Sequence, residues 1–411
     1  MTLVSQWAFF RRMTAGGRTR AVFAAALLAG SLAGCGGSSV PAPEPTTQAP
    51  GDSATIPVTI PESERTKIGL ILPLSGERAS LGQAMLNGAQ LALFDATSSN
   101  IALEVRDDAG AVGPAAQAAQ SALVDGSELI LGPVFAQNVK AVGPIARAGG
   151  VNVVAFSTDK SVAGNGVYVM GFLPSLQVER IIGYSSRQGL KRIAALLPQS
   201  PYGQTVAASL EKAAARSGAS IANIAYYDPN STEASFAVGQ LGDFLASGGQ
   251  VDALFIPEGD QRLLGIVRSL PNFGIDPLQV RLLGSTLWET LGDAGAMSEP
   301  LLAGAWYPAP DPARLLQFRQ TYQNTYGDAP PRLAMLAYDA VLMAASLAAG
   351  PSGPDFSATA ITDPNGYYGI DGLFRLNADG GVDRGLAILE VSPTGPQVRE
   401  PAPQSFGGEI Y

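Results

Sequence analysis

The stretch KIGLILPLSGERASLGQAMLNGAQLALFD, residues 67–95, decides the fold. Its first part, residues 67–74, is a short unbroken apolar run rich in Ile and Leu, the pattern of a strand buried on both faces. From Arg78 to Asp95, Leu81, Met85, Ala89 and Ala92 recur at the three-to-four spacing of a helix that covers a core. Ser80 and Gln83 form a capping-box pattern near its start. A doubly buried strand followed by an amphipathic helix is the repeating unit of a parallel sheet covered by helices.

The same alternation continues outward. Residues 101–107 read as a strand, 115–124 as a helix, 128–131 as a strand, 136–148 as a helix and 151–156 as a strand. The pattern pauses at residues 168–175 and restarts with a strand at 192–197. Ser200 followed by Pro201 is an N-cap and first-turn signal for a helix running to Arg216. Strand-like runs at 221–227, 251–256 and 281–283 alternate with helices centred near Leu241 and Leu264. A last block has a strand-like run at 302–306, helices around Phe318 and Ala340, and strand-like runs at 372–376 and 387–391. It is too small for a third domain and completes the two sheets already begun. The expected architecture is α/β, with two doubly wound parallel-sheet lobes and a cleft between them, where ligands sit beyond the carboxyl ends of the strands.

Residues 1–35 read as an export signal: a basic region ending at Arg20, an apolar run from 21 to 29, then small residues up to Cys35. Leu32-Ala33-Gly34-Cys35 resembles the lipobox of bacterial lipoproteins, which implies lipid transfer to the Cys35 sulfur and cleavage before it; the alternative is an ordinary cysteine in a leader. Arg11-Arg12 is part of the basic region. Residues 36–65, with Pro41, Pro43, Pro45, Pro50, Pro57 and Pro61, cannot pack a core and read as a semi-extended tether.

Composition excludes whole classes of function. The chain of 411 residues contains no histidine, which removes Ser-His-Asp and Cys-His catalysis and imidazole metal sites. Its single cysteine permits neither an internal disulfide nor a thiolate cluster. The formal charge of −9 becomes more negative once the leader is removed, so nucleic acid is not an expected partner. A hydrolase would need a paired acid or a Ser-Lys dyad, and no spacing proposes one. The expectation is therefore a protein that is not an enzyme and holds no cofactor or metal.

Five segments carry a family resemblance: KIGLILPLSG at 67–76, LNGAQLALFD ending at Asp95, VRDDAG at 105–110, LILGPVFAQNV at 129–139 and AYDAVLMAASLA at 337–348. They resemble the type I periplasmic binding proteins of the leucine-binding class, over nearly all of residues 66–395. GLFRLNADG at 372–380 is similar in position and spacing. That fold implies a hinge crossed three times, near residues 170–172, 303–305 and 380. Lobe one would hold residues 66–171 and 305–381, lobe two 172–304 and 382–400, with a tail at 401–411. Carried over residue by residue, the resemblance implies that Tyr202 covers a ligand from lobe two and that Ser157 presents main-chain groups to it. Ala136 stands where a carboxylate-binding serine is usual, Asp159 where threonine is, Gly259 where an aromatic is, and Thr286 where an acid holds the ammonium. Losing that acid weakens the case for a free amino acid.

Other positions admit two readings. Ser75 and Gly76, between the first strand and its helix, either offer backbone amides to an anionic group or form a plain loop with a capping serine. Asp107 and Asp108 point to opposite faces of a strand, so they cannot share one substrate atom and are expected at a solvated strand end. Asp159 either receives a cationic group or makes an Asx turn before Lys160. Trp288 is a candidate cleft wall, against the commoner fate of tryptophan in a core.

Residues 72–95 are most similar to the branch of penicillin-binding protein activators, outer-membrane lipoproteins that stimulate a peptidoglycan synthase. The best-known members place a helical-repeat domain where this chain has the tether. The resemblance implies an envelope lipoprotein on the periplasmic side, anchored at the outer rather than the inner membrane, that regulates peptidoglycan synthesis by contact with a penicillin-binding protein. The alternative is a substrate-binding lipoprotein that delivers an amino acid or another small polar ligand to an ABC transporter.

Overall fold

The computed structural model describes residues 65–96, 100–231, 234–289, 291 and 298–406. The expected leader, Cys35, nearly all of the tether and the last residues of the tail lie outside them. Among the described residues no helix is long and apolar enough to cross a membrane.

Five parallel strands form the first sheet: β1 (Thr66–Leu72), β2 (Ile101–Asp107), β3 (Leu129–Leu131), β4 (Asn152–Ala155) and β5 (Val167–Val169), in the order β2-β1-β3-β4-β5. Alternate residues of β1 face opposite layers. Ile68, Leu70 and Leu72 join the core under α1 (Ala79–Asp95), while Ile71 packs against α2 (Val112–Val124) and α3 (Ala136–Ala148). This is why the run is apolar throughout. The capping box does not form: Arg78 occupies the N-cap of α1 without a side-chain bond, and Gln83 bonds Asn87 instead. A single-turn 3-10 helix at Gly76–Arg78 precedes α1 and displaces the start that Ser80 would have capped.

The second sheet has seven strands in the order β15-β14-β10-β9-β8-β6-β7. It is built from β6 (Arg192–Pro198), β7 (Ser220–Tyr227), β8 (Ala253–Ile256), β9 (Arg281–Gly284), β10 (Trp306–Ala309), β14 (Ala387–Glu390) and β15 (Gln397–Glu400). α4 (Pro174–Arg187) and α5 (Pro201–Ser217) pack on one face, α6 (Ser235–Ala246) and α7 (Asp260–Ser269) on the other. Ser200 caps α5 as expected, accepting from the Gly203 amide at 3.2 Å. α4 went unread in the sequence because polar residues interrupt its apolar positions. Its Arg180 is nonetheless buried, donating to the Leu386 carbonyl at 2.7 Å and pairing with Glu400.

After β10 the chain returns to lobe one through α8 (Pro312–Tyr326) and α9 (Arg332–Ala348). The short α10 (Ala358–Ile361) and a small antiparallel sheet of β11 (Tyr367–Gly369), β12 (Gly372–Leu376) and β13 (Val382–Arg384) follow. Two of the three crossings are displaced from their expected places. Gly304 has φ +81, which breaks the strand read at 302–306, so the extended segment starts at Trp306 and remains in lobe two through Ala309. Gly380 is the turn of a hairpin, with Asn377 N donating to Gly381 O, and β13 keeps to lobe one before the chain crosses at 385–386. Residues 170–173 connect β5 of the first sheet to α4, which packs on the second.

A buried ionic cluster sits at this hinge. Arg384 donates to Asp371 at 2.8 Å and to the Met170 carbonyl at 2.5 Å. Asp339 on α9 accepts from the amides of Ile370 (2.7 Å) and Asp371 (3.3 Å).

Two consequences are measurable. Gly88 is where α1 meets α9, and a Cβ there would lie 2.3 Å from the Ala334 carbonyl. Gly88→Val should lower the urea midpoint by the equivalent of about 1–3 kcal/mol, the usual cost of overpacking, without changing the m-value. Burial, aided by repulsion from Asp371, lifts the Asp339 carboxyl to about 7 against the two amide donors. The unfolded carboxyl titrates near 4, so the native state alone holds this proton up to about 7. Stability should therefore fall as pH rises across that window, by roughly 1.4 kcal/mol per unit of the shift. Asp339→Asn should flatten this slope in urea titrations between pH 4 and 8.

Candidate functional site

The carboxyl ends of the parallel strands of both sheets are where a ligand of this architecture would sit; in the second sheet β14 runs antiparallel to β10 and β15. On lobe one that edge is already committed to its own structure. The Asp107 carboxylate accepts from the amides of Leu74 (2.8 Å), Ser75 (3.2 Å) and Ala109 (2.7 Å). Burial pushes this carboxyl up, but the Ser75 hydroxyl and the three amides outweigh it and hold it below its ordinary value. The loop amides expected for an anionic ligand thus already have a carboxylate. Ser75 and Gly76 remain exposed, with Gly76 at φ +75.

Asp108 points the other way, as alternation requires, but it is not solvated. It is fully buried, accepts from Asn138 Nδ2 at 2.8 Å and from the Gly110 amide at 2.9 Å, and burial raises its carboxyl. Ala136 opens α3 and is half-buried with nothing to donate. Ser157 is buried, its hydroxyl accepting from the Asp159 amide at 3.1 Å. Asp159 takes the Asx-turn alternative: its carboxylate accepts from the Ser161 amide at 2.9 Å and caps the turn Lys160–Val162, and these bonds hold it below its ordinary value.

Lobe two presents a different set. Tyr202, at the start of α5, is half-buried; burial, with Glu258 nearby, pushes its hydroxyl up to about 12 against the opposing effect of the Ser285 hydroxyl. Gly259 is the N-cap of α7 in an extended conformation. The residue before it, Glu258, accepts a hydrogen bond from the Tyr227 hydroxyl and lies 4.0 Å from Arg262. Arg262 in turn lies 6.0 Å from the Tyr227 ring centroid and donates to the carbonyls of Ser231 and Pro229. Tyr227, Glu258 and Arg262 were not singled out from the sequence, although they end or follow β7 and β8 and the strand-end rule reaches them.

Thr286 and Trp288 are both buried, Thr286 beside the small cavity at the pivot and Trp288 in the core of lobe two. Thr286 is buried, its amide and hydroxyl both donating to Gln177 Oε1 at 3.1 and 2.9 Å. Trp288 is completely buried, donates from Nε1 to the Ile256 carbonyl at 3.1 Å, and packs against Tyr307. Gly284 makes room for it, since a Cβ there would lie 2.2 Å from the indole.

At the pivot, Arg332 reaches across the lobes. Its guanidinium lies 3.5 Å from Glu289, 3.4 Å from the Thr286 carbonyl and 3.4 Å from Asp371, over the Phe172 ring at 4.0 Å. The cavity beside Phe172, Gln177 and Arg332 measures about 10 Å³, too small for an amino acid. Among the described residues no group of three or more potential metal-ligating side chains comes together.

This fold has clear relatives. The chain is 27% identical over 221 residues to the penicillin-binding protein activator LpoA of Mannheimia succiniciproducens, an alignment covering 52% of this chain and 36% of that protein. It is 25% identical over 169 residues to an uncharacterized protein of Rickettsia prowazekii, covering 41% and 45% respectively. The chain thus spans less than half the length of either curated relative. A crystal structure from Rhodospirillum rubrum, assigned to branched-chain amino acid ABC transport, superposes with a TM-score of 0.71 at 18% identity, over 81% of this chain and 99% of that one. A family profile described as "Periplasmic binding protein" matches residues 65–396, and the chain belongs to that family.

Proposed function

We propose that the protein is a non-catalytic envelope lipoprotein, tethered through Cys35, whose binding-protein-like body acts by contact with a peptidoglycan synthase of the penicillin-binding type. The observation that carries this reading is the state of the amino-acid site. Ala136 supplies no hydroxyl, Thr286 is buried against Gln177, and Asp107 occupies the loop amides. A protein that delivers amino acids needs those groups free, whereas one that works through its surface does not. Likeness to LpoA over about half of the chain supports the same direction.

A second reading, a substrate-binding lipoprotein of an ABC transporter, is favoured by one feature. Lobe two keeps Tyr202, Tyr227, Glu258 and Arg262 together beyond the ends of its strands. This set would suit a ligand other than a free leucine-type amino acid.

Thermal unfolding with each common amino acid distinguishes the two. A true ligand at 100 times its Kd adds about 2.7 kcal/mol, a rise of several degrees. No such rise is expected, and one would favour transport. Affinity purification from native membranes should recover a penicillin-binding protein; recovery of a permease instead reverses the assignment. Cys35→Ala should move the protein from the membrane to the soluble fraction, and unchanged fractionation would refute the anchor.

A further inference from the structure

Away from the strand ends, lobe one carries a cavity of about 510 Å³ between the first half of α1 and the end of α8. That volume lies within the 300–1,000 Å³ typical of small-molecule sites. Ser80, Gln83 and Asn87 line it from α1; Tyr322, Tyr326 and Asp328 line it from α8 and the loop beyond.

The two tyrosines, one helical turn apart, build the floor. The Tyr322 hydroxyl donates to the Ala84 carbonyl at 3.1 Å and the Tyr326 hydroxyl to the Asn87 carbonyl at 3.0 Å, clamping α8 to α1. Their rings lie 4.9 Å apart with planes tilted by 53°; Tyr322 is buried, whereas Tyr326 keeps part of its surface exposed. At the rim, Gln83 Nε2 donates to Asn87 Oδ1 at 2.9 Å, which fixes both amides and leaves each with further hydrogen-bonding capacity. Gln83 and Asp328 are exposed to solvent.

Charge selects the ligand. Asp328 is the one ionisable acid or base other than tyrosine among the lining residues, so phosphates and carboxylates are repelled. Arg332, four residues on, is turned towards Glu289 and Asp371. Tyr326, the partly exposed ring of the pair, takes the C–H face of a pyranose, while amides and a carboxylate at the rim take its hydroxyls. A single exposed acid without an aromatic cage is a poor cation site by comparison. We infer that this cavity is a binding site for a neutral saccharide, separate from the interlobe face. The inference stands whether the protein acts by contact or by delivery.

The test is calorimetric titration of the full chain with N,N′-diacetylchitobiose and with cellobiose, and with spermidine as the cationic comparison. At least one disaccharide should bind with a stoichiometry near one. Gln83→Ala should weaken it by about fivefold or more, the loss of one hydrogen bond, and Asp328→Asn should weaken it less, since a neutral acceptor replaces a charged one, both with unchanged melting temperature. Absence of binding by both disaccharides at about 10 mM would overturn the assignment, because any weaker affinity is below about 2.7 kcal/mol. So would binding that neither rim variant alters, which would place the sugar elsewhere, or binding of spermidine alone that Asp328→Asn abolishes.

Discussion

The buried pair of Arg384 and Asp371 is the contact on which the relation of the two lobes depends. Both side chains are almost wholly excluded from water, so each charge is tolerable only because the other is present. Removing one partner of such a pair typically costs about 3–5 kcal/mol, since the survivor is left buried and unpaired. The pair also has a topological role. Arg384 ends β13 immediately before the last crossing, its second amino group holds the Met170 carbonyl at the first crossing, and Phe172 and Phe374 lie within 5.5 Å of its guanidinium. One side chain therefore fastens two of the three strands of the hinge.

That arrangement explains why polar groups near the pivot are unavailable for ligand chemistry. Asp339, Asp371, Thr286 and Gln177 are held by one another, by Arg384 or by the backbone. Farther out, the lobes diverge. Lobe one spends Asp107, Ser157 and Asp159 on ordering its own loops. Lobe two leaves Tyr202 and Glu258 partly exposed at the strand ends, with the buried Tyr227 donating to Glu258.

Much of the layered plan was legible because it follows from periodicity. The alternation of β1, the stripe of α1 and the bounds of α3 depend on local pattern, and they hold. What failed depends on tertiary contacts that pattern does not carry. α4 buries Arg180 and Gln177, residues that read as exposed until their partners on β15 and at Thr286 are known. Trp288 beside a Gly-Ser-Thr turn looked like a wall, but Gly284 opens a slot that draws the indole into the core. Asp108 looked solvated because its partner Asn138 is thirty residues away. The crossings expected near 303–305 and 380 slipped because positive-φ glycines at 304 and 380 place turns there.

The two hinge arginines carry different mechanical loads. Arg384 makes bonds of 2.8 and 2.5 Å to partners on its own lobe and on the crossing strand, distances at which charge-assisted bonds are strong. Arg332 makes its contacts with Glu289 and Thr286 of the other lobe at 3.4–3.5 Å, outside the range of good hydrogen bonds. A rotation that separated the lobes would part Arg332 from Glu289 at little cost, while leaving the Arg384 pair intact about the axis. The inner pair thus defines the pivot, and the outer contact only biases the angle.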